Sequence, residues 1–555
     1  MTTLGRGWRA AIWTQLADHA AQPPWDVIVV GGGVAGAGVF REAVRCGLRV
    51  LLLEGRDFAW GTSSRSSKLV HGGVRYLTQG QWRVTREAVR ERERLVREAP
   101  GLVEPLRFVL ALYEPERGRR WAYQACFTAY DLFARRRTHG YLAPSDVQRA
   151  LPDVLTDGLV GGFRYTEART DDARIVLRLI WEGVRAGGCA LSYAPVDALL
   201  LDRGAASGVR VRDAESGQTL ELRAHAVVNA TGAHTDTLRR RVGDRGLIRP
   251  VRGSHLVFSA ARFPLPHAVA WRHAADGRNV CALPWEGCTV VGTTDVDHDA
   301  ARSAEPRIST EETEYLLDAV RTQFPSLALG LDDVVATWAG VRPIVGDGSD
   351  AAPTQASREH IVVDERGLIS VAGGKLTTFH ATARAVLRCL RDHCPGVRLP
   401  RSRVRAFDEV PRDGADHPAL DAAASQRLVG RYGDAAGALV AAAHPGELAP
   451  VAGTPTLWAE LRWAARAEGV CHLDDLLLRR VRVGLLLPEG GASLLPEVRR
   501  VCQEELGWSD ARWEEESEDY RCRWRHAHGV PGQTRAPARG VAARRARDAA
   551  APAGG

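Results

Sequence analysis

Lysine is nearly absent from this 555-residue chain: of its 74 basic residues, only Lys68 and Lys375 are lysine. The rest are arginine, as if GC-rich coding had replaced lysine almost everywhere. Both survivors lie inside glycine-rich motifs. Arginine carries a wide planar fork and lysine a narrow point charge, so these read as two places where a guanidinium does not fit. Paired cysteines are missing too. Ten cysteines are scattered without a C-x-x-C spacing, which argues against a zinc or iron–sulfur ligand set and against a disulfide frame. They read as buried thiols in a reducing compartment, and no metal site is expected. No apolar run reaches the roughly 20 residues that span a bilayer, and residues 1–22 lack the continuous apolar core of a secretion signal. A cytoplasmic protein is expected. Aromatic and basic residues do not interleave as in nucleic-acid binders, so the net charge of +7 points to an anionic small molecule or an anionic membrane surface.

The length and the 45% hydrophobic content suit two or three domains. Trp8, Ile12, Trp13 and Leu16 form a helical stripe in an N-terminal extension, residues 1–24. Trp25–Val30 is a short apolar run fit for a buried parallel strand. Gly31, Gly33 and Gly36 follow in a G-x-G-x-x-G turn, then a helix to Cys46 and a second strand ending at Glu54. The first glycine permits the tight turn, the second lets backbone approach a pyrophosphate, and the third lets helix pack on strand. The helix N-terminus offers free N–H groups to phosphates. Glu54, 18 residues after Gly36, is placed to accept ribose hydroxyls.

Three further turns distinguish FAD from a nicotinamide cofactor. Thr62, Ser63 and Ser64 open a hydroxyl-rich loop that runs to Lys68 and Leu69 and is followed by His71-Gly72-Gly73. Such a loop can line an extended dinucleotide. Thr231-Gly232 comes directly off a strand. Gly374-Lys375-Leu376-Thr377 opens a late helix whose N-terminus would stabilise an anionic reduced flavin. Converging on one ligand, these turns indicate FAD.

Residues 25–100, 155–250 and 345–395 therefore read as a discontinuous FAD-binding domain, and 101–154 with 251–344 as a substrate domain. Residues 400–528 read as an Ala-, Leu- and Arg-rich helical module, and 529–555 as a disordered basic tail. Gln81–Glu98 reads as an amphipathic helix.

At these motifs the chain resembles the FAD-dependent glycerol-3-phosphate dehydrogenases, relatives of the amino-acid oxidases. The resemblance runs from residue 25 to about 490. It is carried by Gly31–Gly38, Thr62–Leu77, Asp171–Arg174, Asn229–Gly232, Arg252–His255, Pro284-Trp285, Gly292-Thr-Thr-Asp295, Gly340-Val-Arg-Pro343, Gly373–Thr378, and Leu473-Asp-Asp475 with Arg479-Arg480. It implies an α/β chain: a Rossmann-like FAD-binding domain of the glutathione-reductase and amino-acid-oxidase type, a mixed β-sheet substrate domain and an α-helical C-terminal module. It also implies oxidation of sn-glycerol 3-phosphate to dihydroxyacetone phosphate, with quinone as acceptor at the inner face of the cell membrane. A homodimer is a family-level expectation.

The resemblance assigns roles as well. Arg75 and Tyr76 would line the substrate cavity at the phosphate, Arg358 would help bind the anion and Arg342 would face the reacting carbon. His255 would sit near the flavin, where an ordinary pKa of about 6.5 makes it the candidate base. Lys375 would lie near both flavin and substrate. This chain departs from the family pattern at Arg252, commonly Lys, at Ala233-His234, commonly Pro-Trp, and at Phe379-His380, commonly Tyr-Arg. The last two pairs are expected near the flavin or substrate rim. The arginine-rich tail, including Arg535, Arg539 and Arg545, would assist contact with anionic lipid. Three rival readings remain: an amine or amino-acid oxidase of the same fold, a glycerol-3-phosphate oxidase using oxygen, and a non-catalytic flavin-containing binding module.

Overall fold

The computed structural model describes residues 4–18, 23–74, 77, 80–243, 246–299, 305–346, 360–395, 397, 404–411 and 413–532. Two sheets organise them. In the first, strand Trp25–Val30 lies between Val50–Leu53 and Thr219–Asn229, all parallel, with Cys189–Leu191 and Leu368–Gly373 extending either side. Val27, Ile28 and Val29 are wholly buried, which is why this strand is a continuous apolar run: both of its faces are covered. Helix Val34–Arg45 packs against helices Asp172–Arg185 and Phe379–His393. The N-terminal helix Trp8–Asp18 buries its expected stripe, with Trp8 meeting Phe58 at 6.3 Å. After Trp25–Val30 the chain passes to one side of that strand, and Thr219–Asn229 returns on the other. The crevice between them is a topological switch point, where α/β sheets bind ligands.

The second sheet is mixed. Its long strand Ile248–Ser259 pairs antiparallel with Val334–Val345, setting Gly253 opposite Gly340 and His255 opposite Trp338. Cys288–Gly292 lies on its other side, with Gly292 opposite His255. Leu159–Thr170 also belongs to this sheet, antiparallel to Val103–Tyr113. The expected boundary at residue 155 gave it to the nucleotide part; its partner lies about fifty residues upstream, a pairing that no local pattern announces. Strand Leu69–Val70 likewise joins the second sheet.

Of the C-terminal helices, Ala422–Tyr432 packs on helix Asp172–Arg185, and Val483–Leu486 and Asp510–His528 pack on that sheet. Leu461, Leu477, Val498, Trp513 and Tyr520 share a core with Trp285 and Trp338. All ten cysteines are free thiols. The basic tail beyond residue 532 lies outside the described residues.

Candidate active site

At the switch point the turn after Trp25–Val30 meets the turn after Thr219–Asn229: Ala230 N–H donates to Val30 O at 2.8 Å. Gly31 sits at φ +110°, and a Cβ there would lie 2.5 Å from Ala230 O; a Cβ at Gly36 would overlap Gly31 O. Only glycine closes this turn. The helix that follows has no acidic residue in its first turn, and Val34 N–H donates to Ser63 Oγ at 2.9 Å. The hydroxyl-rich loop therefore rests on the positive end of that helix. Glu54 accepts from Gly32 N–H at 2.7 Å and Arg56 N–H at 2.8 Å, while burial pushes its carboxyl up. Thr231 Oγ1 donates to Asn229 Oδ1 at 2.7 Å, fixing the second turn. The glycine cradle, the unopposed helix dipole and the hydroxyl donors fit the diphosphate of FAD.

Toward the second sheet the crevice opens into a cavity of about 400 Å³. Thr62, Leu69, His71 and Gly73 line one wall and Gly374, Lys375, Leu376 and Thr377 another; His255 and Arg342 stand on the second-sheet side. Gly72 N–H donates to Glu167 Oε2 at 2.9 Å and Thr377 Oγ1 to His71 O at 3.2 Å, which ties the His71–Gly73 turn to the late helix. Gly373 and Gly374 take φ of +72° and +91°, turning that chain into the cavity.

Arg342 is held by a set of oxygens. Its guanidinium pairs with Asp295 and donates to Thr293 Oγ1 at 2.9 Å and Thr294 O at 3.2 Å. Asp295 also pairs with Arg278 at 2.9 Å. A Cβ at Gly253 would overlap Arg342, so this glycine gives the guanidinium its room.

His255 is buried, stacked on Trp338 at 5.2 Å, with Nε2 2.8 Å from Ser67 Oγ and Nδ1 buried without a hydrogen-bond partner. Burial, then the Arg342 and Lys68 cations, hold its imidazole well below the usual range. The ring is neutral, not poised near 6.5. That is the form which accepts a proton, but it binds one weakly until negative charge enters the cavity.

Other expected residues lie elsewhere. Lys68 is fully buried behind the loop, its Nζ donating to Ser64 O at 2.7 Å and Asp172 Oδ1 at 2.9 Å, and its side chain does not reach the cavity. The contact read for it with cofactor is replaced by one with the loop's own backbone. Phe379 and His380 are also off the cavity wall. Phe379 packs toward Gly38 and Phe407, and His380 Nδ1 is 2.8 Å from Arg94. Arg75, Tyr76 and Arg358 lie outside the described residues. The sequence gives no role to Glu167, Asp295 or Trp338, and marks Ser67 only as part of the hydroxyl-rich loop. The Gly292–Asp295 motif marked Asp295, but nothing in it says which arginine it meets.

The family model described as FAD dependent oxidoreductase matches residues 26–388, and that described as the C-terminal domain of alpha-glycerophosphate oxidase matches residues 398–513. The chain is 34% identical over 548 residues to a glycerol-3-phosphate dehydrogenase of Mycobacterium leprae, covering 94% of this chain and 91% of that protein. It is 36% identical over 375 residues to the aerobic glycerol-3-phosphate dehydrogenase of Bacillus subtilis, covering 66% and 67%. Among solved structures, the glycerol-3-phosphate dehydrogenase of Bacillus halodurans complexed with FAD superposes with a TM-score of 0.75 at 28% identity, covering 97% of this chain and 100% of that one.

Proposed function

The chain belongs to the family of FAD-dependent glycerol-3-phosphate dehydrogenases, and from that premise we propose that it oxidises sn-glycerol 3-phosphate to dihydroxyacetone phosphate and delivers the electrons to quinone at a membrane. The carrying observation is the charge around the cavity. Arg342 and Lys375 stand on its wall, with the Arg342 guanidinium oriented by Asp295. Guanidinium and ammonium groups on that wall suit a phosphate and a developing alkoxide.

Bound FAD supplies the acceptor for the hydride leaving C2. In this reading Arg342, pre-oriented by Asp295 and Thr293, holds the C2 oxygen as negative charge grows on it. Arg75 and Arg358 clamp the phosphate, and Lys375 adds a further cation. His255 receives the hydroxyl proton; the substrate dianion stabilises the imidazolium that forms. An amino-acid oxidase would need a pocket for a neutral amine, which the cations on the wall disfavour.

Anaerobic mixing tests this. sn-Glycerol 3-phosphate should bleach the flavin, unphosphorylated glycerol should do so roughly 10³-fold more slowly because it lacks the phosphate's binding energy, and amino acids should not. Equal rates for the two alcohols would end the phosphate clamp.

No helix among the described residues is long and apolar enough to cross a membrane, so delivery to quinone needs peripheral docking. The three most exposed large apolar side chains among the described residues are Trp121 (78%), Leu132 (75%) and Trp82 (52%). They lie on the helices Trp82–Glu98 and Arg120–Ala134, joined by a Trp82–Phe133 ring contact. Exposed Arg119, Arg120, Arg135, Arg136 and Arg137 flank them. Apolar tips ringed by guanidiniums suit an anionic lipid surface. Replacing Trp121 and Leu132 together by glutamate should weaken binding to phosphatidylglycerol vesicles by about tenfold or more per side chain, leaving flavin reduction in solution unchanged. Undiminished co-sedimentation of that variant would exclude this face.

A further inference from the structure

We infer that the helical C-terminal module sets FAD affinity from outside the cavity, by gripping the back of the Thr62–Lys68 loop with Arg482 and its neighbours. The front of that loop faces the cofactor: Thr62 and Ser67 line the cavity and Ser63 meets the helix N-terminus at Val34. Its back is held by charge. Ser64 O accepts from Lys68 Nζ and from an Arg482 terminal nitrogen, each at 2.7 Å. The same Arg482 nitrogen donates to Asp172 Oδ1 at 3.0 Å, and Asp172 Oδ2 accepts from Ser66 N–H at 2.9 Å. Of these groups only Arg482 comes from the C-terminal module.

The grip extends upstream. Asp57, five residues before the loop, is wholly buried and accepts a bidentate pair from Arg480 at 2.6 and 2.8 Å, with Arg479 on the same carboxylate. Residues 479, 480 and 482 thus aim three guanidiniums at the stretch from Asp57 to Lys68. A regular α-helix turns about 100° per residue and would spread them round its axis. The backbone departs from it accordingly: Leu476–Arg480 winds as a wide π-helical turn and Arg482 takes φ +65°. A left-handed arginine persists only where its surroundings over-determine it. The other bond of Arg482, to Leu478 O at 2.8 Å, closes the segment on itself. None of the three arginines lines the cavity, so they are positioning residues that act on the cofactor through the loop.

The loop must be ordered when FAD binds. If Arg482 has ordered it already, the cost is not charged against affinity. Coupling is reciprocal, so FAD must in turn steady the module's grip.

Arg482→Gln should weaken FAD binding to the flavin-stripped protein by roughly 10- to 100-fold, read by fluorescence titration, through loss of charge-assisted bonds to Ser64 O and Asp172. Arg462→Gln is the control. Arg462 is buried in the same module and paired with Glu447 at 2.7 Å, but makes no contact with the loop. It should lower thermal stability yet keep FAD affinity within about twofold of the parent. In the parent, reloading with FAD should slow hydrogen exchange across residues 473–486. That measurement decides the matter even if Arg482→Gln does not fold. Parent-like affinity in Arg482→Gln, equal loss in Arg462→Gln, or exchange indifferent to FAD would each overturn the inference. It rests on FAD as the cofactor, so a parent that takes up no flavin would fail that assignment first.

Discussion

Replacing Arg342 by methionine is expected to lower kcat/KM for sn-glycerol 3-phosphate by about 10²- to 10⁴-fold with FAD still bound, the range set by removing one desolvated charge from a developing oxyanion. Flavin content should hold because Arg342 is bonded to Thr293, Thr294 and Asp295, in a turn between strands of the second sheet, not to the glycine turns of the first. Folding should largely hold as well: Asp295 keeps Arg278 as its partner. The substitution therefore separates binding of the cofactor from work on the substrate, and rapid-mixing reduction under argon reads the second directly. Gly253→Ala should reach part of the same loss without touching the guanidinium. Its methyl would occupy the space of the Arg342 head group and of Thr293 Oγ1, and a displaced arginine costs orientation. A fall of roughly 10- to 100-fold is expected, with normal flavin content. If both variants reduce flavin at the parental rate, Arg342 does not touch the reacting oxygen.

The two halves of this site were unequally legible. Gly31, Gly33 and Gly36 could be read because their requirement is local: a turn that must close on itself and on the next strand shows in six consecutive residues. The same holds for Trp25–Val30, whose unbroken apolar character follows from burial on both faces. Arg342 carried no such mark among so many arginines, and only the Gly-Val-Arg-Pro resemblance raised it. What fixes it, Asp295, lies 47 residues away in the turn that follows strand Cys288–Gly292. The grip on Asp57 spans 423 residues. His255 was noticed, but its chemistry follows from burial, from the Trp338 ring and from two nearby cations, none of them visible in a string of letters. Pattern reading finds residues whose neighbours in sequence explain them and misses those explained by neighbours in space.

The scarcity of lysine is a case between the two, and it leads to the sharpest test of stability. Lys68→Arg is expected to destabilise the fold by about 3–5 kcal/mol, whereas Lys68→Met should cost only about 1–2 kcal/mol. Lys68 is wholly buried at φ +59°, its Nζ 4.6 Å from the centre of the Trp338 ring and 5.2 Å from that of Trp285. A larger planar fork has no solvent-exposed side to expand into beside those indoles. Charge compounds the problem. Arg482 already donates to the carboxylate of Asp172 that Lys68 uses. Burial and the Arg482 cation pull the Lys68 ammonium down to about 7 against the upward pull of Asp172. Lysine can therefore release its proton when the site will not carry two cations, and arginine cannot. Methionine fills the stem's volume beside the rings and gives up the bonds to Ser64 O and to both Asp172 oxygens. It leaves Asp172 paired with Arg482, and Ser64 O with its second donor. Thermal unfolding of the three holoproteins should therefore rank them lysine, methionine, arginine. An arginine variant as stable as the parent would mean that this position kept its lysine for no steric or electrostatic reason.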